Sequence, residues 1–260
     1  MTAVAGSAEV RKGRLFLVPM PLGDVSPAGA LPPATVSVIV GLGHFVAESA
    51  RTARRFLTQL PLSAPVQSLV IEELNEHTPP AAVHALLAPL LAGHDVGLVS
   101  EAGCPVVADP GSNLVRAAHA AGIPVTPLVG PSAPLLALMA SGLGGQAFRF
   151  AGYLPQDAPA RRTAILERQK EARQGVTQIF IETPYRNEAL LNALLDTCDP
   201  DMLVSVAADL TLPSETVLTR SVIDWRDASR PDLDRRPAVF VLGTAREVSA
   251  AGRSPRRRRP

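Results

Sequence analysis

Aromatic residues are scarce in this chain: they make up 4% of 260 residues, with one tryptophan and two tyrosines. So few planar side chains argue against the base-stacking platforms that single-strand binding proteins use. There are two cysteines, Cys104 and Cys198, far apart and without metal-ligand spacing, a pattern that fits two free thiols in a reducing compartment. No apolar run approaches the roughly eighteen residues of a membrane span, and no basic start leads into an apolar segment, so a soluble cytoplasmic protein is expected. His77, His84, His94 and His119 are scattered and none stands at ligand spacing from a Cys, Asp or second His, so no metal is expected. The chain also lacks GxSxG, a P-loop and a Ser/His/Asp arrangement, which removes support for hydrolase and kinase chemistry. The GLGHF segment is not a dinucleotide fingerprint, because its third glycine is missing.

A broad excess of positive charge is missing too. The formal net charge is +1, but the final RSPRRRRP carries five arginines and no acid, so the rest of the chain sums to −4. A nucleic-acid surface, if there is one, must be local. Charge density and prolines predict a disordered basic tail over 249–260, and the small, polar start Met1–Lys12 is expected to fray.

Hydrophobic residues, at 47%, are ample for a core, and the length suits two domains of ordinary size. The most informative stretch is Val96–Ala133: an apolar run, a small-residue loop, a helix, a second apolar run and a second loop, which reads as one βαβ unit. Val96–Val99 and Val125–Val129 read as buried parallel strands whose ends neighbour each other. In open α/β sheets ligands bind outside the carboxyl ends of strands, and here those ends carry SEAGCP and GPSAP. Ser132 is placed to cap a helix over Pro134–Ala140, whose free N–H groups would face a ligand.

Along the rest of the chain, Arg14–Val18 reads as a strand feeding the stiff turn Pro19–Asp24, a third candidate ligand loop. Val36–Val40 is ambiguous between strand and helix. Arg51–Leu60 reads as a basic amphipathic helix, Leu69–Leu74 as a strand and Pro80–Ala92 as a single helix. After Gly142 the segment LGGQAFRFAGYLPQDAPARR reads as a domain link. Beyond it come helix Arg161–Arg173, strand Thr177–Ile181, helix Arg186–Leu195 and strands Leu203–Ala208 and Ala238–Leu242. The expected architecture is α/β: domains over 13–143 and 144–248 with a ligand cleft between them.

In order, LVPMPLGD, AESARTARRFL, GLVSEAGCPVVADPG, PLVGPSAPLLALMASGL, FRFAGYLPQ and FIETPYR resemble motifs of the tetrapyrrole-methylase superfamily of S-adenosylmethionine-dependent methyltransferases. Within it the chain is most similar to the ribosomal RNA small-subunit methyltransferase I family, from Gly13 to Arg246. The resemblance implies a homodimer binding S-adenosylmethionine and methylating a cytidine 2′-hydroxyl in small-subunit ribosomal RNA. It places Pro21, Ser100, Glu101, Ala102, Gly103, Cys104, Ser132, Ala133, Glu182, Thr183, Ala207 and Ala208 around the cofactor. Three family patterns are altered: AEDTR reads AESAR, with Ser49 and Ala50; DAGTP reads EAGCP; and ELTK reads DLTL at Asp209–Leu212.

Methyl transfer from a sulfonium needs little activation of the electrophile, so alignment and water exclusion dominate. The hydroxyl must still lose a proton, and Glu48, Glu101 and Asp109 are the candidate acceptors, a structural role weighing more for Glu101 and Asp109. Guanidinium forks suit phosphate, which makes Arg51, Arg54, Arg55 and Arg186 candidate substrate contacts, with Arg161 and Arg162 further rim candidates. The alternatives are a small acceptor such as a tetrapyrrole, or a non-catalytic relative that binds the cofactor.

Overall fold

A computed structural model describes residues 11–245. The expected basic tail, Arg246 and most of the expected frayed start lie outside the described residues. Lys12, included in that start, is tied down: its ammonium donates to the Ala121 carbonyl at 2.7 Å. The chain divides into two compact units between Ser132 and Ala133.

The first unit runs β1 (Leu15–Val18), α1 (Pro27–Ala30), α2 (Pro33–Val40), β2 (His44–Ala47), α3 (Ala50–Leu57), β3 (Val70–Glu73), α4 (Pro80–Ala85), α5 (Ala88–Leu91), β4 (Val96–Val99), α6 (Ser112–Ala120) and β5 (Val125–Pro127). Its five strands form a parallel sheet in the order β3-β2-β4-β1-β5. Helices cover both faces, so β4, VGLV, is buried at every position. Alternation sorts its neighbours: Phe45 and Ala47 of β2 join a core with Ile39, Phe56 and Leu57, whereas Val46 joins Leu98, Leu114 and Leu90 on the other face. Gly97 is required within β4, because a Cβ there would stand 2.8 Å from the Phe45 ring.

Three expectations are corrected here. β4 and β5 do not neighbour each other; β1 lies between them, so α6 carries the chain across a strand. β5 is an edge strand of three half-buried to exposed residues, and Val129 beyond it is 72% exposed, because nothing pairs with its outer side. The single helix expected over Pro80–Ala92 is two, since Pro89 cannot donate within a continuous helix and instead occupies the first turn of α5. The ambiguous Val36–Val40 run is helical, beginning with Pro33 in the first turn of α2.

The second unit runs α7 (Ala133–Ser141), β6 (Phe148–Gly152), α8 (Ala158–Arg173), β7 (Thr177–Ile181), α9 (Asn187–Thr197), β8 (Leu203–Ala208), β9 (Thr216–Ser221), α10 (Val222–Asp227) and β10 (Ala238–Gly243). The sheet order is β6-β7-β10-β8-β9, with β6 and β7 parallel and the remaining pairs antiparallel. The segment read as a link thus contains an edge strand, β6. Its core gathers Phe180, Phe240, Leu190, Leu194 and Trp225, whose indole N–H donates to the Val204 carbonyl at 2.8 Å.

Candidate functional site

All strands of the first sheet point their carboxyl ends the same way, and the loops leaving β1, β2 and β4 meet there. Backbone bonds join two of them reciprocally: Met20 N–H donates to Gly103 O at 2.8 Å and Gly103 N–H to Met20 O at 3.1 Å. Gly103 adopts a φ of +68°, and a Cβ on it would press within 3.1 Å of Leu22. Its loop is wound tightly, for Val106 and Ala108 also have positive φ, 73° and 66°. A β-branched residue in that region is uncommon, and strain of this kind is stored where surroundings hold it.

Pro21, Leu22, Gly23 and Asp24 face Thr52, Arg55 and Phe56 of α3 and Glu101 and Ala102 across a cavity of about 160 Å³. Ser49 caps α3 by accepting from Thr52 N–H at 3.3 Å. Thr52 Oγ1 in turn donates to Glu101 Oε2 at 2.9 Å, so the residue that follows AESAR bonds directly to the SEAGCP loop. Arg51, Arg54 and Arg55 are exposed, and no ion-pair partner faces their guanidinium groups among the described residues.

Beside the cavity the carboxylates crowd. Ala47 pairs with Val99, which brings Glu48 alongside Ser100 and Glu101. Burial raises the Glu48 carboxyl above its ordinary value, and the charges of Asp109, Glu101 and Glu76 raise it further. Burial also raises Asp109, with Glu101 adding to the effect and the Ser100 hydroxyl opposing it. Ser100, 4% exposed, points its hydroxyl toward Asp109 but makes no well-formed hydrogen bond. Cys104, half-buried, contacts the Pro131 carbonyl at 3.4 Å, and burial raises its thiol.

Ser132 ends the first unit and Ala133 opens α7 in the second. In the second unit, Ile181 and Ala207 both pair with Val239, so Glu182–Thr183 and Ala207–Ala208 meet at one end of the sheet. Ala207 and Ala208 are buried. Glu182, also buried, accepts from Arg186 at 2.6 Å and from Thr183 N–H at 2.7 Å. The Arg186 guanidinium, expected to meet substrate, is therefore engaged within its own loop.

The loop after β8 was legible as a strand-end loop, but the partner of its acid was not. Asp209, in a left-handed conformation at φ 53°, accepts from Arg236 Nε at 2.8 Å and from Ser214 at 2.8 Å. Arg236 also donates to the carbonyls of Ser214 and Asp232. The one available signal was an acid in DLTL without the basic neighbour of ELTK; its partner comes 27 residues later.

A sequence model of Tetrapyrrole (Corrin/Porphyrin) Methylases matches residues 14–224. The chain belongs to the tetrapyrrole methylase family. It is accordingly an S-adenosylmethionine-dependent methyltransferase. The Ribosomal RNA small subunit methyltransferase I of Xylella fastidiosa (strain Temecula1) is 34% identical over 230 residues, 88% of this chain and 80% of that protein. The Vibrio cholerae protein of that name is 34% identical over 88% of this chain and 75% of its own length. The Escherichia coli O157:H7 protein is 31% identical over 91% and 79%. Among solved structures, the methyltransferase CobJ shares the fold with a TM-score of 0.61 at 22% identity, over 91% of this chain and 97% of that one. The uroporphyrin-III-C-methyltransferase of Thermus thermophilus gives 0.50 at 21% identity, over 89% and 92%. No helix among the described residues is long and apolar enough to cross a membrane, and no group of three metal-binding side chains occurs among them.

Proposed function

We propose that this methyltransferase acts in the cytoplasm as a homodimer and methylates a ribose 2′-hydroxyl in RNA of the small ribosomal subunit. The observation that carries this reading is the match to three proteins named as small-subunit ribosomal RNA methyltransferases, each over more than 85% of this chain. Arg55, which lines the cavity, and Arg51 and Arg54 on the same helix supply the local positive charge an RNA substrate needs on a chain of small net charge.

The residues present suit S-adenosylmethionine. Ala102 lines the cavity at a strand's carboxyl end, and the buried Ser100 hydroxyl is available to a polar group of a ligand. Pro21, Ser100, Glu101, Ala102, Gly103 and Cys104 would hold the cofactor from the first unit. Ser132, the last residue of that unit, is assigned the same role, as are Ala133, which opens α7, and Glu182, Thr183, Ala207 and Ala208 of the second unit. When bound, the cofactor supplies an already activated methyl group.

The protein's own part is to orient the ribose hydroxyl and take its proton. Arg51, Arg54 and Arg55 hold the phosphates on either side. Glu48 accepts the proton: its carboxyl, raised by burial and then by three neighbouring carboxylates, is a stronger base than an ordinary glutamate. Glu101, fixed by Thr52, and Asp109, beside Ser100, shape the wall and set that basicity. Arg186 holds Glu182 in place rather than gripping substrate.

The test is transfer of labelled methyl from S-adenosylmethionine to small subunits from cells lacking the family's enzyme, with the labelled nucleotide mapped. Label on a ribose is expected; absence of label, with cofactor binding demonstrated on the same sample, overturns the reading. Glu48→Gln should lower kcat by about 10²–10⁴-fold with cofactor affinity retained.

A further inference from the structure

Five of the ten aromatic side chains, Phe45, Phe56, Phe180, Phe240 and Trp225, are buried in the cores. Both tyrosines go the other way: Tyr153 is 55% exposed and Tyr185 77%. An exposed tyrosine ring gives up burial worth roughly 1.5–3 kcal/mol for a side chain of this size, so two at one place call for an explanation.

Their placement is not scattered. Tyr153 directly follows the last residue of β6, and Tyr185 lies four residues beyond β7, the strand with which β6 pairs in parallel. Parallel pairing puts both strands' carboxyl ends at the same edge, so the two tyrosines lie just beyond adjacent strand ends. α8 also starts at that edge, and its fourth and fifth residues are Arg161 and Arg162. Neither guanidinium has an ion-pair partner among the described residues, whereas Arg149 and Arg168, further along the same surface, are both spent on Glu171. The nearest carboxylate in sequence, Asp157, is occupied in accepting from Ala160 N–H at 3.0 Å. No acid sits in the first turn of α8, so two cations there are held against the helix dipole.

Exposed tyrosines at the same strand ends as guanidinium groups without an ion pair suit single-stranded RNA, which needs stacking for splayed bases and charge for the phosphates between them. We infer that Tyr153 and Tyr185, with Arg161 and Arg162, form a platform on the second unit that holds unpaired nucleotides of the RNA substrate. This rests on the ribosomal RNA reading. The composition argued against a stacking platform because it counts aromatics without placing them; two suffice when they share an edge.

The experiment measures fluorescence anisotropy of a labelled twelve-nucleotide single-stranded RNA with the full chain, alongside cofactor affinity and methyl transfer to small ribosomal subunits. Tyr153→Ala and Tyr185→Ala should each weaken RNA binding about 5- to 100-fold with cofactor affinity unchanged, and Tyr185→Phe should bind as wild type does. Arg161→Gln with Arg162→Gln should reduce the slope of log K against log salt by up to about 1.4. Base-paired RNA of the same length should bind more weakly than the single strand.

Unchanged RNA affinity in both alanine variants overturns the platform, as does a loss of cofactor affinity in place of RNA affinity. A defect confined to intact subunits and absent with the oligonucleotide points to a ribosomal protein as the contact and also overturns it. If wild type methylates subunits while the alanine variants behave as wild type, the platform falls and the ribosomal reading stands. If wild type neither binds RNA nor methylates subunits, that reading falls and takes the platform with it.

Discussion

Glu48 is partly buried and held among Asp109, Glu101 and Glu76, so its carboxyl keeps a proton to higher pH in the folded chain than its ordinary 4.5. A raised carboxylate contributes stability that is present below the unfolded value and lost as pH rises through the folded one. Glu48→Gln removes that loss. Its melting temperature should exceed that of wild type at neutral pH, and the gap should close as pH falls toward 4.5, read by thermal denaturation across pH. Asp209 faces a cation in Arg236. Arg236→Met leaves a side chain only 10% exposed with its charge uncompensated, at a cost of about 3–5 kcal/mol by urea denaturation. Adding Asp209→Asn should recover much of that, since asparagine tolerates the left-handed backbone. Glu48 was legible as a candidate because it sits within a motif. Arg236 was not, because 27 residues separate it from Asp209 and only the fold brings them together.

Among the elements, loops do the positioning. The proline loop after β1 is clasped to Gly103 by two backbone bonds and abuts Gly130 so closely that a Cβ there would lie 2.3 Å from the Pro19 ring. Gly130→Ala must therefore push the proline loop away. The expected outcome is a loss of about 1–3 kcal/mol in stability together with weaker cofactor binding, measured by denaturation and by titration calorimetry. Unchanged cofactor affinity would detach that loop from the site. Strands with β-branched runs and capped helices were legible in the sequence, as β7, β8 and α8 illustrate. β6 and β9 were not: FRFAG reads as glycine-rich link until β7 lies beside it, and TVLTRS alternates too weakly to stand apart from its polar loop.

For the whole chain, charge sets how it meets a polyanion. Five of its arginines lie after Gly252, and without them the net charge is −4. A chain ending at Gly252 should bind RNA more weakly at low salt, with a shallower dependence of log K on log salt, while cofactor affinity stays as in wild type. Identical salt slopes would leave the guanidinium groups of the two units as the whole of the electrostatic attraction.

The sequence by itself determined the family, the α/β class and the loops that end β1, β4 and β7, because these are written in contiguous residues whose backbone demands are local: proline turns, glycines and short apolar runs. Only the tertiary structure decided that β1 lies between β4 and β5, that Glu48 stands among other carboxylates, that Arg186 is spent on Glu182, and that both tyrosines share an edge. Each of these is a meeting of residues distant along the chain, and strand order, which no local pattern encodes, determines which of them meet.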